Sequence, residues 1–162
     1  VRRIAVIGNG AGGKTTFARA LASALDIPHH EVDTVQFRDD WSRAPAGDTQ
    51  RTLDAWAAED AWVIDGFGPW PCIERRLAAA DTIVWIDYPL PRHLWRAARR
   101  QLLWRGSQRR PSSRLMLKMI LHVHTRYRPS LETGVRPHLD KVVHLRSPRD
   151  ARRWLENACS ER

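Results

Sequence analysis

The sequence predicts an α/β chain, a three-layer sandwich in which helices cover both faces of a five-stranded parallel sheet of order 2-3-1-4-5, with a helical lid segment. Three observations carry this. Short runs at Ile4–Ile7, His29–Asp33, Trp62–Asp65, Thr82–Asp87 and Val142–Leu145 have strand length, and all but the second are strongly apolar. Helical stretches separate them. A glycine-rich octapeptide, Gly8 to Thr15, stands between the first strand and the first helix. Right-handed crossovers between such strands bring their C-terminal ends, and the loops that follow, to one edge of the sheet.

Each element has its own signal. Ile4 to Ile7 is a strand, and Thr16 to Leu25 has helical composition and spacing. Ile27-Pro28 breaks the chain, and His29 to Asp33 is a weak strand ending in an acid. Thr49 to Ala58, with Leu53 and Trp56 as apolar points, reads as a helix. Trp62 to Asp65 runs into the Gly66-Phe67-Gly68-Pro69 turn and a short helix from Cys72 to Ala79. Thr82 to Asp87 is stopped by Pro89 and Pro91, and a long helix follows from Arg92 to Arg105. A polar break at 106–113 precedes a helix from Arg114 to Tyr127, and Pro148 to Asn157 forms the closing helix. One domain spans 1–162, with insertions at 34–48 and 106–135.

At 162 residues the chain can bury a core without staples. No apolar run approaches the roughly 20 residues that span a bilayer. Val1-Arg2-Arg3 leads straight into a strand, so no secretory signal is expected, and Cys72 and Cys159 form no C-x-x-C pair. The expected setting is reducing and cytoplasmic, without a membrane. Charge is uneven: residues 1–90 hold nine basic and thirteen acidic side chains (−4), and residues 91–162 hold eighteen and five (+13). Such a gradient suits a cleft wall that neutralises phosphates, a nucleic-acid footprint, or a solubilising surface.

Gly8-Asn9-Gly10-Ala11-Gly12-Gly13-Lys14-Thr15 matches G-x-x-x-x-G-K-[ST], the phosphate-binding loop (P-loop) of nucleoside triphosphatases. Its backbone N–H groups and the helix N-terminus behind them, Thr16 included, would face one polyphosphate. Lys14 would charge-pair the β- and γ-phosphates, and the Thr15 hydroxyl would ligate Mg²⁺. ATP and Mg²⁺ are therefore the expected ligands. An acid on a neighbouring strand should support the metal, and Asp65 and Asp87 both qualify on pattern. Asp33 could orient or deprotonate an acceptor hydroxyl, assist the metal, or simply form a turn. Arg92, Arg96, Arg99 and Arg100 share one helical face, with Leu94, Ala98, Gln101 and Leu102 displaced from it. Guanidinium groups suit charge spread over a moving phosphoryl group. Arg105, Arg109, Arg110, Arg126 and Arg128 flank the polar segment, as a closing lid requires. Trp62 and Trp85 are expected in the core, Trp95, Trp104 and Trp154 against the sheet, and Trp41 and Trp70 near the cleft. His122 and His124 lack a third ligand, so no metal site is read there.

The chain resembles the adenylate-kinase-like branch of P-loop kinases, and within it the small bacterial topology modulation proteins. Four segments carry the likeness: Arg3 through Thr16, Ile27 through Asp33, Trp62-Val63-Ile64-Asp65-Gly66-Phe67, and Val84 through Pro89 with the arginine helix. The resemblance implies that Asp65 supports the Mg²⁺ shell. It implies that Arg96 and Arg100 act at the ATP base region and the transferring phosphate, and that Leu145-Arg146-Ser147-Pro148 closes around adenine. Adenylate kinases follow Asp-Gly-Phe with Pro-Arg, whose arginine grips the acceptor phosphate; here Gly68-Pro69 follow. Asp33–Trp41 replaces the nucleotide-acceptor domain, with Arg38 as the one candidate phosphate ligand in it. The expectation is an ATP-dependent phosphotransferase in which Lys14, Asp33, Arg96 and Arg100 are catalytic. Its acceptor is a nucleotide or a small molecule. The alternatives are a small-metabolite kinase of the shikimate or gluconate kinase kind, with Asp33 orienting the hydroxyl, a nucleic-acid-associated ATP-binding protein, and slow ATP hydrolysis without an acceptor.

Overall fold

The computed structural model describes residues 2–103 and 113–160. Strand β1 (Arg3–Gly8) lies at the centre of a five-stranded all-parallel sheet. β3 (Trp62–Asp65) and β4 (Thr82–Ile86) flank it, and β2 (His29–Glu31) and β5 (Val142–Leu145) form the edges, giving the order β2-β3-β1-β4-β5. The helices are α1 (Lys14–Leu25), α2 (Val32–Gln36), α3 (Ala46–Ala58) and α4 (Trp70–Ala79), then α5 (Leu90–Leu102), α6 (Ser113–His122), α7 (Arg128–Val135) and α8 (Pro148–Ser160). Val6 pairs with Asp65 on one side, and Gly8 with Ile86 on the other. The phosphate loop, Asp65 and the end of β4 therefore leave the sheet along one edge.

Alternation along the strands builds the two halves of the core. Ile4 and Val6 face the side covered by α1 and α8, where they join Val63, Val84, Phe17, Leu21 and Leu145. Ala5 and Ile7 face the opposite side, with Ile64, Trp62, Ile83 and Trp85 beneath Leu53, Ile73, Leu77 and Leu131. A slip of one residue in β1 would exchange these two sets, so burial pins the register. Each such aliphatic side chain contributes roughly 1.5–3 kcal/mol of transfer free energy. No helix among the described residues is long and apolar enough to cross a membrane.

Several elements depart from the sequence reading. β2 ends at Glu31, and Asp33 sits in the first turn of α2 rather than at a strand end. Thr34 Oγ1 donates to the Glu31 carbonyl at 2.7 Å and closes that turn. Val32, the first residue of α2, is completely buried and lies against Gly66. α3 starts at Ala46, so the insertion at 34–48 contains most of α2, a small hairpin bridged at Phe37 and Arg43, and the first turn of α3. α5 begins at Leu90 because Pro91 falls in the first turn, where no N–H is required. Its inner face is Leu90, His93, Leu94 and Ala97, whereas Ala98 and Leu102 are exposed. Trp95 likewise stands in solvent, 59 % exposed, rather than against the sheet.

Residues 113–135 are packed helix. Met116 and Ile120 bury against Ala97, and Leu131 and Val135 enter the main core. Pro129 supplies no N–H to the preceding turn, and the chain widens there into a π turn over Val123–Tyr127. The rest of the expected lid, 106–112, lies outside the described residues, as do Trp104, Arg105, Arg109 and Arg110.

Candidate active site

The octapeptide Gly8–Thr15 forms a loop between β1 and α1, with positive φ at Gly8, Ala11 and Gly13. Gly13 is the residue before α1 and offers no side chain to cap it. The first N–H groups of that helix, which need an acceptor, are thereby left for an anion. Asn9, nearly buried, braces the loop: its Oδ1 accepts from the Gly10 N–H at 2.7 Å, and its Nδ2 donates to the Ile120 carbonyl of α6 at 3.1 Å. Lys14 Nζ donates to the Asn9 carbonyl at 3.1 Å, so its ammonium folds back over the loop. Burial lowers the Lys14 pKa, against the opposing pull of Asp33, Asp65 and Glu31.

Asp65, 1 % exposed, ends β3 directly below Thr15. One of its oxygens accepts from Thr15 Oγ1 at 2.7 Å, and the other meets His29 Nε2 at 2.8 Å. Asp87 is placed differently: its carboxylate is held by Arg128 at 3.0 Å and His144 at 3.1 Å. Burial pushes the Asp87 carboxyl up, but the hydrogen bonds and charges of Arg128 and His144 outweigh it and hold the group below the usual range. Of the two strand-end acids, Asp65 shares a hydrogen bond with the phosphate loop, and Asp87 ties the start of α7 to β5.

A cavity of ≈ 760 Å³ opens over Ala11, Gly13, Thr15 and Thr16. Its far wall is the arginine face of α5, with Arg92, Arg96, Arg99 and Arg100, and Pro148 closes one end. Arg96 overhangs the loop, since a Cβ on Gly13 would stand 2.9 Å from its guanidinium. Part of the basic excess of the second half of the chain is thus a wall facing the phosphate loop. Trp95 lies on the same wall, with the Arg99 guanidinium 5.6 Å from its ring centre.

A second hollow, ≈ 520 Å³, is lined by Glu31, Asp33, Thr34, Phe37, Arg38, Asp39 and Trp41. Glu31 borders both cavities and pairs with Arg19 at 2.9 Å. The protein crowding Asp33 raises its pKa, Glu31 and Asp65 add to the rise, and Lys14 opposes it. Phe37 and Trp41 form a tilted aromatic pair with centroids 5.7 Å apart. Trp41 thus lines this hollow, whereas Trp70 stands elsewhere, against Gly134 and donating to Glu74 at 2.7 Å.

Three further residues escaped the sequence reading. His29 orients Asp65; it is the first residue of an edge strand and carries no motif signal. Arg76, 3 % exposed, donates to the Gly66 and Phe67 carbonyls at 2.6 and 3.3 Å and so fixes the turn after β3. Burial lowers its pKa to about 10. His93 lies beneath the phosphate loop, within hydrogen-bond distance of the Gly10 carbonyl at 2.7 Å and the Tyr88 carbonyl at 3.1 Å. Its only local signal was an i, i+4 relation to Ala97 on the inner face of α5.

No family model matches the chain, and no curated protein matches it. Solved structures do. Shikimate kinase from Acinetobacter baumannii, in complex with shikimate, superposes with a TM-score of 0.64 at 17 % identity, over 100 % of this chain and 95 % of that one. Shikimate kinase from Bacteroides thetaiotaomicron gives 0.60 at 18 % identity, over 99 % and 95 %. A gluconokinase from Sinorhizobium meliloti 1021 gives 0.55 at 17 % identity, over 99 % and 94 %. At these identities the likeness is one of fold: the chain has the P-loop kinase fold of shikimate kinase.

Proposed function

We propose that this protein is an ATP-dependent kinase that transfers the γ-phosphoryl group to a hydroxyl of a small molecule. The observation that carries the reading is the juxtaposition of an uncapped phosphate loop, a four-arginine wall and a separate acid-lined hollow sharing Glu31. The loop amides and Lys14 hold the triphosphate, and Arg96 and Arg100 spread their charge over the moving group. Asp33 orients the attacking hydroxyl; the raised affinity of its carboxyl for a proton suits acceptance of one as the bond forms.

Thr15 and Asp65 fit Mg²⁺: both offer oxygen, their side chains touch at 2.7 Å, and donation by the Thr15 hydroxyl leaves its lone pairs free. Thr15 would hold the ion directly and Asp65 through Thr15 or a water, where the cation would neutralise charge on the β- and γ-oxygens. Two hydrogen-bonded neighbours keep the Asp65 carboxylate aimed at Thr15.

Three carboxylates and one guanidinium line the acceptor hollow, which disfavours a nucleoside monophosphate and favours a hydroxylated metabolite. The solved shikimate kinase and gluconokinase neighbours are in keeping with that class. The likeness to topology modulation proteins, and a cytoplasmic setting, belong to the same proposal. The test is a screen of sugars, hydroxy acids and nucleoside monophosphates for acceptor-stimulated ADP release, with Lys14→Ala alongside. We expect stimulation by a non-phosphorylated hydroxyl compound and loss of at least about 100-fold in the variant. Turnover that Lys14→Ala leaves intact, or no stimulation by any acceptor, refutes the assignment.

A further inference from the structure

His93 is the only histidine among the described residues that is fully buried, and both its ring nitrogens meet backbone oxygens. One belongs to the phosphate loop (Gly10), the other to the turn that starts the arginine helix (Tyr88). A neutral imidazole has a single N–H and can donate to only one of them. The 2.7 Å contact from Nδ1 to Gly10 is the shorter, against 3.1 Å from Nε2 to Tyr88. The ring also fills the space under the loop, since a Cβ on Gly12 would stand 3.0 Å from His93 Cε1.

The consequence follows from peptide geometry. In a planar trans peptide the carbonyl and the N–H of one unit point in opposite directions. Drawing the Gly10 carbonyl down onto His93 therefore turns the Ala11 N–H up, towards the cavity that Ala11 lines. The same ring sits on α5 one turn from Arg96, whose guanidinium overhangs Gly13. Loop and arginine wall are thus keyed together at one buried side chain.

We propose that His93 is a positioning residue for phosphate binding: as the Nδ1–H tautomer it holds the Gly10 carbonyl inward and so presents the Ala11 amide to the nucleotide. This rests on the phosphate-loop reading above. It needs no particular acceptor. Burial, the largest influence on the ring, favours its neutral form, which the carbonyl bonds and Asp87 oppose and Lys14 reinforces.

The variants to compare are His93→Asn, which keeps a donor near the Nδ1 position, His93→Gln, which keeps one near Nε2, and His93→Leu, which keeps none. The measurement is Mg-ADP affinity by calorimetry, with unfolding temperature of the ligand-free proteins recorded in parallel. We expect affinity to fall about tenfold in His93→Gln and His93→Leu, the worth of one hydrogen bond to a charged ligand's cradle. His93→Asn should recover most of that loss, whatever its melting temperature. Affinities that simply follow melting temperature, or that are equal in Asn and Gln, overturn the proposal. A readout on the unmutated protein guards against misfolded variants: long-range ¹H–¹⁵N spectra should show a neutral His93 protonated at Nδ1, and an Nε2–H ring overturns it. If the wild-type chain binds no Mg-ADP at all, it is the phosphate-loop reading that fails, a result distinct from wild-type binding that the variants leave unchanged.

Discussion

Alanine at Gly8 and alanine at Gly13 should separate folding from function within one loop. At Gly8 the backbone has φ +144°, and an added Cβ would overlap the Ile86 carbonyl oxygen while standing 3.0 Å from its carbon and 3.3 Å from Ile86 Cβ. Gly8 and Ile86 are register partners in the central β1–β4 pair, so neither can step aside without opening the sheet. The strained backbone costs about 1–3 kcal/mol and the overpacking about 1–3 kcal/mol, giving a loss of about 4 kcal/mol. For a domain of this size that lowers the unfolding temperature by about 8–16 °C. At Gly13 φ is +88°, but the nearest atom, 2.9 Å away, is the mobile end of Arg96. Only the backbone strain remains, roughly 1–2 kcal/mol, or about 2–8 °C. The displaced guanidinium should instead weaken Mg-ATP binding about tenfold, as expected for a lost hydrogen bond to charge. Differential scanning calorimetry and nucleotide titration on both variants provide the check. A Gly8→Ala protein melting within 3 °C of the parent, which is roughly a 1 kcal/mol effect, would refute the reasoning, as would a Gly13→Ala protein with undiminished affinity.

Other substitutions probe the remaining parts. Asp33→Asn should cut phosphoryl transfer about 100-fold or more. It should also stabilise the fold at neutral pH. Because the folded state raises this carboxyl's pKa, stability tied to its proton is complete below the ordinary value of 3.8 and is lost as pH rises through the folded value. The gain should therefore vanish in melts taken well below that pH. Arg128→Ala removes a half-exposed partner of Asp87 and should cost about 1 kcal/mol. Here the folded pKa is depressed, so the stability is present above 3.8 and fades as pH falls through the folded value; denaturant melts against pH should show the two proteins converging in acid. Trp95→Ala should weaken Mg-ATP binding about fivefold or more through lost aromatic contact area. It should also abolish a nucleotide-induced change in tryptophan fluorescence, and an unchanged signal would remove Trp95 from the site.

The sheet was legible because burial speaks loudly in sequence. The apolar runs around Ile4, Val63, Val84 and Val143 needed no tertiary information, and the glycines of Gly8–Thr15 placed the loop and the first helix together. The misjudged elements were those decided by contacts between distant segments. Asp33 went from strand end to helix because Val32 found its place against Gly66, 34 residues on. The inner face of α5 was misread because its deepest residue is a histidine, which a search for apolar spacing passes over. Trp95, expected against the sheet, and Leu102, expected on the side away from the arginines, are exposed for the same reason. Likewise Arg76 and His29 work through backbone carbonyls and a buried carboxylate, partners that leave no trace in spacing.

The clasp between Asn9 and the Ile120 carbonyl links residues 111 positions apart. A helix turns by about 100° per residue, so deleting one amino acid from the preceding part of α6 would swing Ile120 to another bearing and leave Asn9 reaching into empty space. Because Ile120 is also fully buried beside Ala97, such a shortened helix should lose melting temperature together with the brace on the phosphate loop. Tolerance to length change in this distant stretch is therefore set in part by the geometry of the phosphate loop.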